Sequence, residues 1–399
     1  MSRLVLSHLF PTLILMLAAV QYLPAQNFSW YKSVLDWDPN YGAWTVTDLV
    51  PVNDGATAVG VRTTEDSRSG FMIAWSGQGD SLRGELFPSY VDASAQPINP
   101  YYLYDVRAVR HPEGGFWIWT LHSSSRQGIE RPFVSIRHRI SSGGELLASD
   151  TIAGRVETVY PDGSATHDYW TIYRYRQGST IELDRWGASL GEVDSIRIDI
   201  ADLRQSFSGS PVVQWSHVSS AGGLFLMSDQ YTGETALLAA PFDDLPRSVV
   251  RFEGNPFVGQ DAELLRSGEI LVAGRDLTWN PVVSARVRLS WIDADGYVQR
   301  EAIVDREPEG PIQIVGETTS GEIIAAWYES GSIAVYRLSS EGEVLGRAHV
   351  AGTINQRLRL GPEDALWMAW ESTYFGRLNV GGLSSVGPGG PLRWDLDLE

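Results

Sequence analysis

The chain has 399 residues, of which 43% are hydrophobic and 11% aromatic, so it can bury a sizeable core and is not a disordered protein. Its formal net charge is -18, and no run of lysine or arginine interrupts the acidic balance, which excludes nucleic acid and anionic membranes as expected partners. Cysteine is absent, which excludes disulfides, thiolate metal sites and a cysteine nucleophile. The fold must therefore be stable through packing alone.

The first 26 residues form a distinct segment. Arg3 is their only charge, the apolar run Leu13 to Val20 follows it, and a small residue, Ala25, stands near the end. This order is typical of a secretory signal peptide with cleavage near Ala25. An uncleaved anchor is the alternative, although the apolar run is short against the roughly 20 residues that span a bilayer. We expect a secreted or periplasmic protein that has no membrane span after the signal is removed.

Residues 312–350 contain four short apolar runs separated by three turn signals, Thr-Ser-Gly, Glu-Ser-Gly and Glu-Gly. Short runs rich in Val, Ile, Trp and Tyr between such turns predict strands joined by tight turns rather than helices. We interpret the unit as a four-stranded antiparallel sheet. One such sheet cannot bury both of its faces, so it requires neighbours of the same kind.

The turn and apolar strand at Gly321 recur along the chain at intervals of about 40 to 60 residues, the range expected for propeller blades. The six related strands begin at Gly55, Gly115, Asp168, Gly223, Glu269 and Asp364. We interpret all of them as the second strands of blades. The prediction is therefore an all-β, single-domain fold: a seven-bladed β-propeller of four-stranded antiparallel blades. Helix is limited to short segments, of which 200–206 is the best candidate.

The predicted propeller occupies residues 27–399. Its blades cover approximately 45–90, 103–153, 156–200, 211–253, 259–305, 311–350 and 355–399. The last blade needs one more strand, because circular propellers avoid a free edge by pairing their N- and C-terminal strands in one blade. Either residues 28–35 or residues 393–398 supply that strand.

A second turn recurs later in most units, and its best example is Asp293-Ala294-Asp295-Gly296. With these Asp-x-x-Gly-like turns, the chain resembles the exported bacterial β-propellers whose blades share them, over nearly all of residues 27–399. The resemblance implies the propeller fold and no particular activity. The patterns of sialidases, quinoproteins and WD repeats do not fit, and Trp394-Asp395 is a single occurrence.

Strand direction alternates within a blade, so the connections from second to third strands and between blades lie on one face. These long connections carry aromatic and arginine residues, the usual anchors of recognition: Tyr90, Tyr101, Tyr102, Arg126, Arg131 and Trp279. The polar residues that end second strands are expected around the channel mouth on the same face: Arg62, His122, Arg174, Asp229, Arg275, Asp276, Glu329 and Glu371. We interpret them as the binding site for a polar ligand, such as a glycan or peptide, or for a protein partner. The alternative explanation is that strand ends are polar because they meet water.

Glu329 and Glu371 end second strands of adjacent blades, and glycosidases need two carboxyls about 5 to 9 Å apart. The alternative function is therefore a glycoside hydrolase or lyase acting on polysaccharides, with this pair as acid and base. No nucleophile accompanies the pair, so the sequence favours a noncatalytic binding protein. We also expect a monomer that has no cofactor.

Asp36, Asp38 and Asn40 place oxygen atoms at alternate positions, as calcium loops do. However, Gly42 comes one place late for such a loop, and the twelfth position is Thr47 instead of glutamate. A surface turn is the preferred interpretation, and we predict no metal site.

Overall fold

The computed structural model describes residues 28–33, 43–52, 55–63, 68–76, 81–87, 91–92, 99–100, 102–111, 114–123, 133–142, 145–153, 156–161, 169–174, 180–186, 192–242, 248–252, 256–277, 285–304, 306–329, 331–351, 357–361, 364–370 and 374–379. The predicted signal peptide, the calcium-like loop and the C-terminal strand candidate 393–398 lie outside these residues.

The described residues are almost entirely β-strand. The strands are β1 (Phe28–Ser33), β2 (Ala43–Val52), β3 (Gly55–Thr63), β4 (Arg68–Ser76), β5 (Ser81–Phe87), β6 (Val91–Asp92), β7 (Asn99–Pro100), β8 (Tyr102–Arg110), β9 (Phe116–Ser123), β10 (Phe133–Ile140), β11 (Leu146–Ala153), β12 (Val156–Pro161), β13 (Tyr169–Arg174), β14 (Thr180–Trp186), β15 (Glu192–Asp199), β16 (Val212–Ser219), β17 (Gly222–Asp229), β18 (Glu234–Pro241), β19 (Ser248–Arg251), β20 (Phe257–Leu264), β21 (Ile270–Leu277), β22 (Ala285–Ile292), β23 (Val298–Val304), β24 (Ile312–Glu317), β25 (Ile323–Glu329), β26 (Ser332–Leu338), β27 (Val344–Ala351), β28 (Arg357–Leu360), β29 (Ala365–Trp370) and β30 (Tyr374–Asn379). One short helix, α1 (Ala201–Gln205), lies in the segment where the sequence predicts it.

These strands form seven four-stranded antiparallel sheets and one two-stranded pair, β6 with β7. Sheets 1 to 6 each take four consecutive strands: β2–β5, β8–β11, β12–β15, β16–β19, β20–β23 and β24–β27. Sheet 7 has the order β1-β30-β29-β28. The N-terminal strand therefore completes the sheet that contains the last strands of the chain, with Tyr31 paired to Gly376.

The seven sheets follow one another in a closed ring. The first strand of each sheet contacts the first strand of the next, from β2 to β8, then β12, β16, β20, β24 and β28, and back from β28 to β2. The fold is therefore an all-β propeller, as the repeats predict, and its first strands surround the axis.

The second strands whose side chains are described are largely buried because they lie between neighbouring sheets. In β25 every residue from Ile323 to Trp327 is buried, which agrees with the continuous apolar run in the sequence. An outer strand such as β23 is mostly exposed instead. The core consists of layers between sheets: Trp291 of sheet 5 packs with Trp327 of sheet 6, and Trp119 of sheet 2 with Trp186 of sheet 3.

No helix in the part of the chain that the structure describes is long and apolar enough to cross a membrane.

Candidate functional site

The sequence-predicted site residues that the structure describes lie at or near the ends of second strands. Glu329 and Asp229 are the last residues of β25 and β17, and His122 is the last but one of β9. Because the first strands surround the axis, these second strands lie one strand further out. A binding role for these residues stays a prediction, and their contacts show which of them have atoms left for a ligand.

Glu329 is buried in sheet 6, and its carboxylate is occupied. Oε2 accepts hydrogen bonds from Trp327 Nε1 at 3.1 Å and from Tyr336 Oη at 2.6 Å. Oε1 accepts from Arg347 Nη2 at 2.6 Å, and the two side chains of this ion pair are each 9% exposed. Burial and the hydrogen bond to Glu329 raise the pKa of Tyr336, so its hydroxyl stays a donor. These contacts leave little of the carboxylate for a substrate.

His122 is fully buried in sheet 2, where a threonine hydroxyl links it to a second histidine. Its Nε2 lies 2.9 Å from Thr120 Oγ1, and the same hydroxyl lies 3.2 Å from Nε2 of His138. Burial lowers the pKa of both histidines to about 4, and the charge of His138 contributes at His122. Both imidazoles are therefore neutral at pH 7, as expected for a hydrogen-bonded pair inside a core.

Asp229 holds the turn between β17 and β18. Its Oδ1 accepts the backbone N–H of Tyr231 at 2.7 Å and that of Thr232 at 2.9 Å. Burial acts to raise the pKa of Asp229, but hydrogen bonds from this turn and the adjacent loop outweigh it and lower the pKa overall. Glu234 then accepts the N–H of Ser208 at 2.6 Å, which ties the loop after α1 to the same turn. Oδ1 of Asp229 is therefore occupied by its own turn, as aspartates in such turns are.

Arg275 and Asp276 lie at the end of β21. Arg275 Nη2 donates to Gly310 O at 2.8 Å, in the segment that leads to sheet 6, and burial lowers the pKa of this guanidinium. Asp276 is 4% exposed, and its Oδ1 has no hydrogen-bond partner among the described residues. An unsatisfied buried oxygen is costly, so Asp276 keeps an atom that a ligand or a neighbouring loop can use.

Several predicted residues lie outside the described part of the chain. Glu371 and the metal candidates Asp36, Asp38 and Asn40 are among them. The backbone of Arg174 pairs with Ile181, but its side chain is not described. Arg62 lies at the end of β3 and is half-buried. Tyr102 belongs to β8. The other five long-loop residues lie outside the described residues: Tyr90, Tyr101, Arg126, Arg131 and Trp279. The Glu329–Glu371 pair thus stays a prediction.

The first strands contain a feature that the sequence interpretation did not include. In sheets 1 to 6 the pairing of the first strand with the second shifts by one residue, which marks a β-bulge. In sheets 1, 2 and 5 the residue that follows the shift is an aspartate: Asp48, Asp105 or Asp261. Bulges redirect side chains, and these three are acidic side chains beside the axis.

Asp48 and Asp261 use the bulge in the same way. Each carboxylate accepts the N–H of the residue that follows it, at 2.9 Å for Asp48 and 3.0 Å for Asp261. Its second oxygen accepts an N–H from the first strand of the next sheet, Ala108 at 3.2 Å or Ile314 at 2.8 Å. Each aspartate therefore joins two neighbouring sheets close to the axis.

Two glycines make room for these bulges. Gly60 and Gly274 are second-strand residues that pair with the position just before the bulge in sheets 1 and 5. A Cβ at Gly60 would lie 2.1 Å from Thr45 O, and one at Gly274 would lie 2.2 Å from Val258 O. A side chain at either position would displace the first strand, so the placement of the aspartates depends on glycine here.

Two arginines from different sheets meet at one backbone oxygen of β2. Arg107 in β8 donates from Nη1 to Thr47 O at 3.2 Å, and Arg357 in β28 donates from Nε to the same oxygen at 3.0 Å. Burial lowers the pKa of Arg357, and the positive charges of Arg107 and Arg359 lower it further. Arg357 is nevertheless exposed to solvent. Because the first strands surround the axis, the solvent-exposed region at Arg357 is called the axial opening below.

Two aspartates offset part of this positive charge. Asp105 Oδ2 lies 2.8 Å from Arg107 Nη2, and Asp48 Oδ1 lies 3.7 Å from Arg359 Nη2. Both carboxylates also accept backbone N–H groups. The five residues Asp48, Asp105, Arg107, Arg357 and Arg359 are called the axial cluster below. The cluster has one more positive than negative charge, in a protein whose net charge is -18.

Asp261 and Glu263 stand two residues apart on β20, so their side chains share one side of the strand. Burial raises the pKa of each to about 7, and the charge of Asp261 adds to the effect at Glu263. Arg359 acts in the opposite direction on both pKa values. A carboxyl group that titrates near neutrality can donate or accept a proton in a ligand site.

The axial cluster and the two carboxyls of β20 supply hydrogen-bond donors and acceptors of both charges around one opening. This set suits a polar ligand. Among the described residues, no three histidine, aspartate or glutamate side chains come together as a metal site requires.

The sequence contains two signals for this site that the interpretation above did not use. Aspartate precedes an apolar residue in three first strands, at 48–49, 105–106 and 261–262. Gly60 and Gly274 are single glycines inside apolar second strands, a pattern that indicates a bulge or a close backbone approach.

No family model and no curated protein sequence matches this chain. Among solved structures, it is similar to BBS1N, crystallised in complex with ARL6DN, with a TM-score of 0.49 and 11% identity over 84% of this chain and 91% of that one. It is similar to the AfRom2 CNH domain with a TM-score of 0.47 and 11% identity, over 87% and 97% of the two chains. An exo-beta-1,3-galactanase from Phanerochaete chrysosporium has a TM-score of 0.38 and 13% identity, over 76% and 78%.

Proposed function

We propose that this protein is an exported, noncatalytic seven-bladed propeller that binds a polar ligand at its axis. The observation that carries the proposal is the axial cluster: charged side chains from sheets 1, 2 and 7 converge at the first strands, and Arg357 is still exposed to solvent. Concave sites with a few convergent polar groups on a rigid scaffold are where ligands usually bind.

The contacts of the charged groups favour binding over catalysis. Asp48 and Asp261 are committed to backbone N–H groups of two sheets, and Glu329 is committed to its own sheet. A catalytic acid or base needs an atom within hydrogen-bond reach of the substrate. The long-loop face, with its predicted aromatic and arginine residues, stays the proposed side of entry for the ligand.

One observation favours a second candidate, a glycoside hydrolase or lyase. Burial and the neighbouring Asp261 raise the pKa of Glu263 to about 7, and a general acid for glycosidic bonds needs a raised pKa of this kind. This candidate requires a second carboxylate at the distance that glycosidases use, about 5 to 9 Å. The predicted Glu371 is the carboxyl to test, because both oxygens of Asp261 accept backbone N–H groups.

The experiment is a glycan and peptide array probed with the mature protein, followed by an assay for released reducing sugar on every glycan that binds. The binding function predicts retention of at least one ligand and no release of sugar. Sugar release that is lost in Glu263→Gln and retained in Glu341→Gln, an exposed control in the turn between β26 and β27, supports the enzyme instead. An array without any retained ligand contradicts both.

A further inference from the structure

Arg357 has unused hydrogen-bonding capacity at the axis. Its described hydrogen bond runs from Nε to Thr47 O at 3.0 Å. In the residues that the structure describes, Nη1 and Nη2 of Arg357 have no acceptor. The two terminal nitrogens of a guanidinium form a planar fork that matches the two oxygens of a carboxylate. Because Arg357 is exposed to solvent, this fork can be reached from outside.

Charges of both signs surround Arg357: Arg107 and Arg359 lower its pKa, and Asp48 and Asp105 raise it. Arg107 donates to the same carbonyl oxygen, and Arg359 comes from the same strand two residues later. Asp105 and Asp48 form ion pairs with Arg107 and Arg359, and their charges also attract Arg357, but neither carboxylate accepts a described hydrogen bond from Nη1 or Nη2 of Arg357. Like charges at close range oppose one another, and an anion placed among them relieves that repulsion.

The charge of the whole molecule makes this local excess informative. The net charge is -18, so the general field of the protein repels anions. An anionic ligand would therefore be held by short-range contacts with the axial arginines rather than by attraction to the surface at large. Such contacts are directional, and they select the shape of the anionic group.

We propose that Arg357, supported by Arg107 and Arg359, binds the carboxylate of an acidic saccharide in the axial opening. The proposal rests on the proposed binding function, because it assigns the charge of the ligand and the residue that anchors it. Arg357 supplies the fork through Nη1 and Nη2, and the other two arginines supply the remaining positive field.

The test measures binding of sodium D-glucuronate, D-glucose and sodium acetate to the mature protein by calorimetry at constant ionic strength. We expect binding of glucuronate, no detectable binding of glucose, and weaker binding of acetate, which has the carboxylate without the sugar. Arg357→Gln should weaken glucuronate binding at least about tenfold, the loss expected for a hydrogen-bonded charge pair. Arg197→Gln is the matched control, because Arg197 is 75% exposed on the outer strand β15 and should bind as wild type does.

Circular dichroism melting shows whether Arg357→Gln folds, and Arg357→Lys provides a second variant that keeps the charge but loses the fork. A weakened Arg357→Lys supports bidentate recognition. Equal affinity for glucuronate and glucose, or undiminished glucuronate binding in both Arg357 variants, overturns the inference and leaves the binding function intact. If glucuronate does not bind but the array yields a neutral ligand, the inference is likewise overturned and the binding function stays intact. If the array yields nothing either, the proposed function fails as well.

Discussion

Two arginines, Arg347 and Arg357, differ in burial and in the groups that bind their charge. Arg347 in sheet 6 meets Glu329 at 2.6 Å, and both side chains are 9% exposed. Arg357 at the axis donates one described hydrogen bond to a backbone oxygen and stays exposed. The first arginine completes a closed network inside one sheet, whereas the second lies among like charges at an opening. The difference separates a group that stabilises the fold from one that is available to a ligand.

The network in sheet 6 has the features of a structural ion pair. The Trp327 and Tyr336 rings stack with centroids 4.0 Å apart, and both side chains donate to the Glu329 carboxylate. Every oxygen of that carboxylate therefore has a partner. At the axis the aspartates are bonded to backbone N–H groups, but the terminal nitrogens of Arg357 have no described acceptor. Exposure of these nitrogens to solvent, and therefore to a ligand, distinguishes Arg357 from Arg347.

Removing Glu329 should have the largest effect. Glu329→Ala removes the carboxylate that pairs with the buried Arg347 and accepts from Trp327 and Tyr336, and removal of one member of a buried pair costs about 3 to 5 kcal/mol of unfolding free energy. Urea denaturation measures this cost. Glu341→Ala is the control, since Glu341 is 66% exposed and lies 3.5 Å from Arg300. An exposed pair of this kind contributes about 0 to 1 kcal/mol.

If the Glu329→Ala protein keeps the stability of wild type, the Glu329–Arg347 pair does not stabilise the fold, and the contrast drawn between Arg347 and Arg357 is wrong. If the variant also lost ligand binding, the predicted role of Glu329 in a site would be right and its structural role would be wrong.

The pH dependence of stability should show an intermediate effect at Glu263. Its pKa is about 7 in the folded protein against 4.5 for the ordinary carboxyl, so the folded state binds the proton more tightly than the unfolded chain. The stability that Glu263 contributes is therefore present below about pH 4.5 and is lost as the pH rises through about 7. Glu263→Gln removes this loss, and we expect it to be more stable than wild type by about 1 kcal/mol near pH 8, with little difference near pH 4.

Urea denaturation of both proteins across this pH range isolates the contribution of Glu263, because the remaining titrations are shared. Equal stability of wild type and variant near pH 8 would mean that Glu263 ionises without cost and that its surroundings are wetter than the raised pKa indicates.

The sequence predicts the second strands well because their signal is local. A turn ending in Gly55 or Gly321, followed by a continuous apolar run, determines a buried strand without reference to the rest of the chain. The ring of sheets follows from repetition of that signal. Closure of the ring has no local signal, because residues 28–35 and residues 393–398 were both candidates for the last strand of sheet 7. Phe28–Ser33 is the strand that pairs with β30.

The axial cluster could not be predicted in the same way, because its residues meet through bulges and through neighbouring sheets. Asp48 is an ordinary polar residue in its strand until the bulge turns it towards Ala108, 60 positions later. Arg357 reaches Thr47 across 310 positions of sequence. The residues at second-strand ends were easier to find, but burial and local hydrogen bonds occupy Glu329 and His122. A polar residue at the end of a strand is therefore not necessarily available to bind a ligand.

The smallest effect on stability should follow Arg357→Gln, and this change tests the comparison most directly. The side chain is exposed, and its described bond is to a backbone oxygen that Arg107 also serves. Loss of one such bond and relief of the repulsion from Arg107 and Arg359 should nearly cancel, so we expect a change within about 0.5 kcal/mol. Arg347→Gln, measured in parallel by urea denaturation, should cost several-fold more because it leaves Glu329 buried without its charge partner. If Arg357→Gln is as destabilising as Arg347→Gln, the axial arginine is a structural residue like its counterpart in sheet 6, and the opening has no anchor prepared for a ligand.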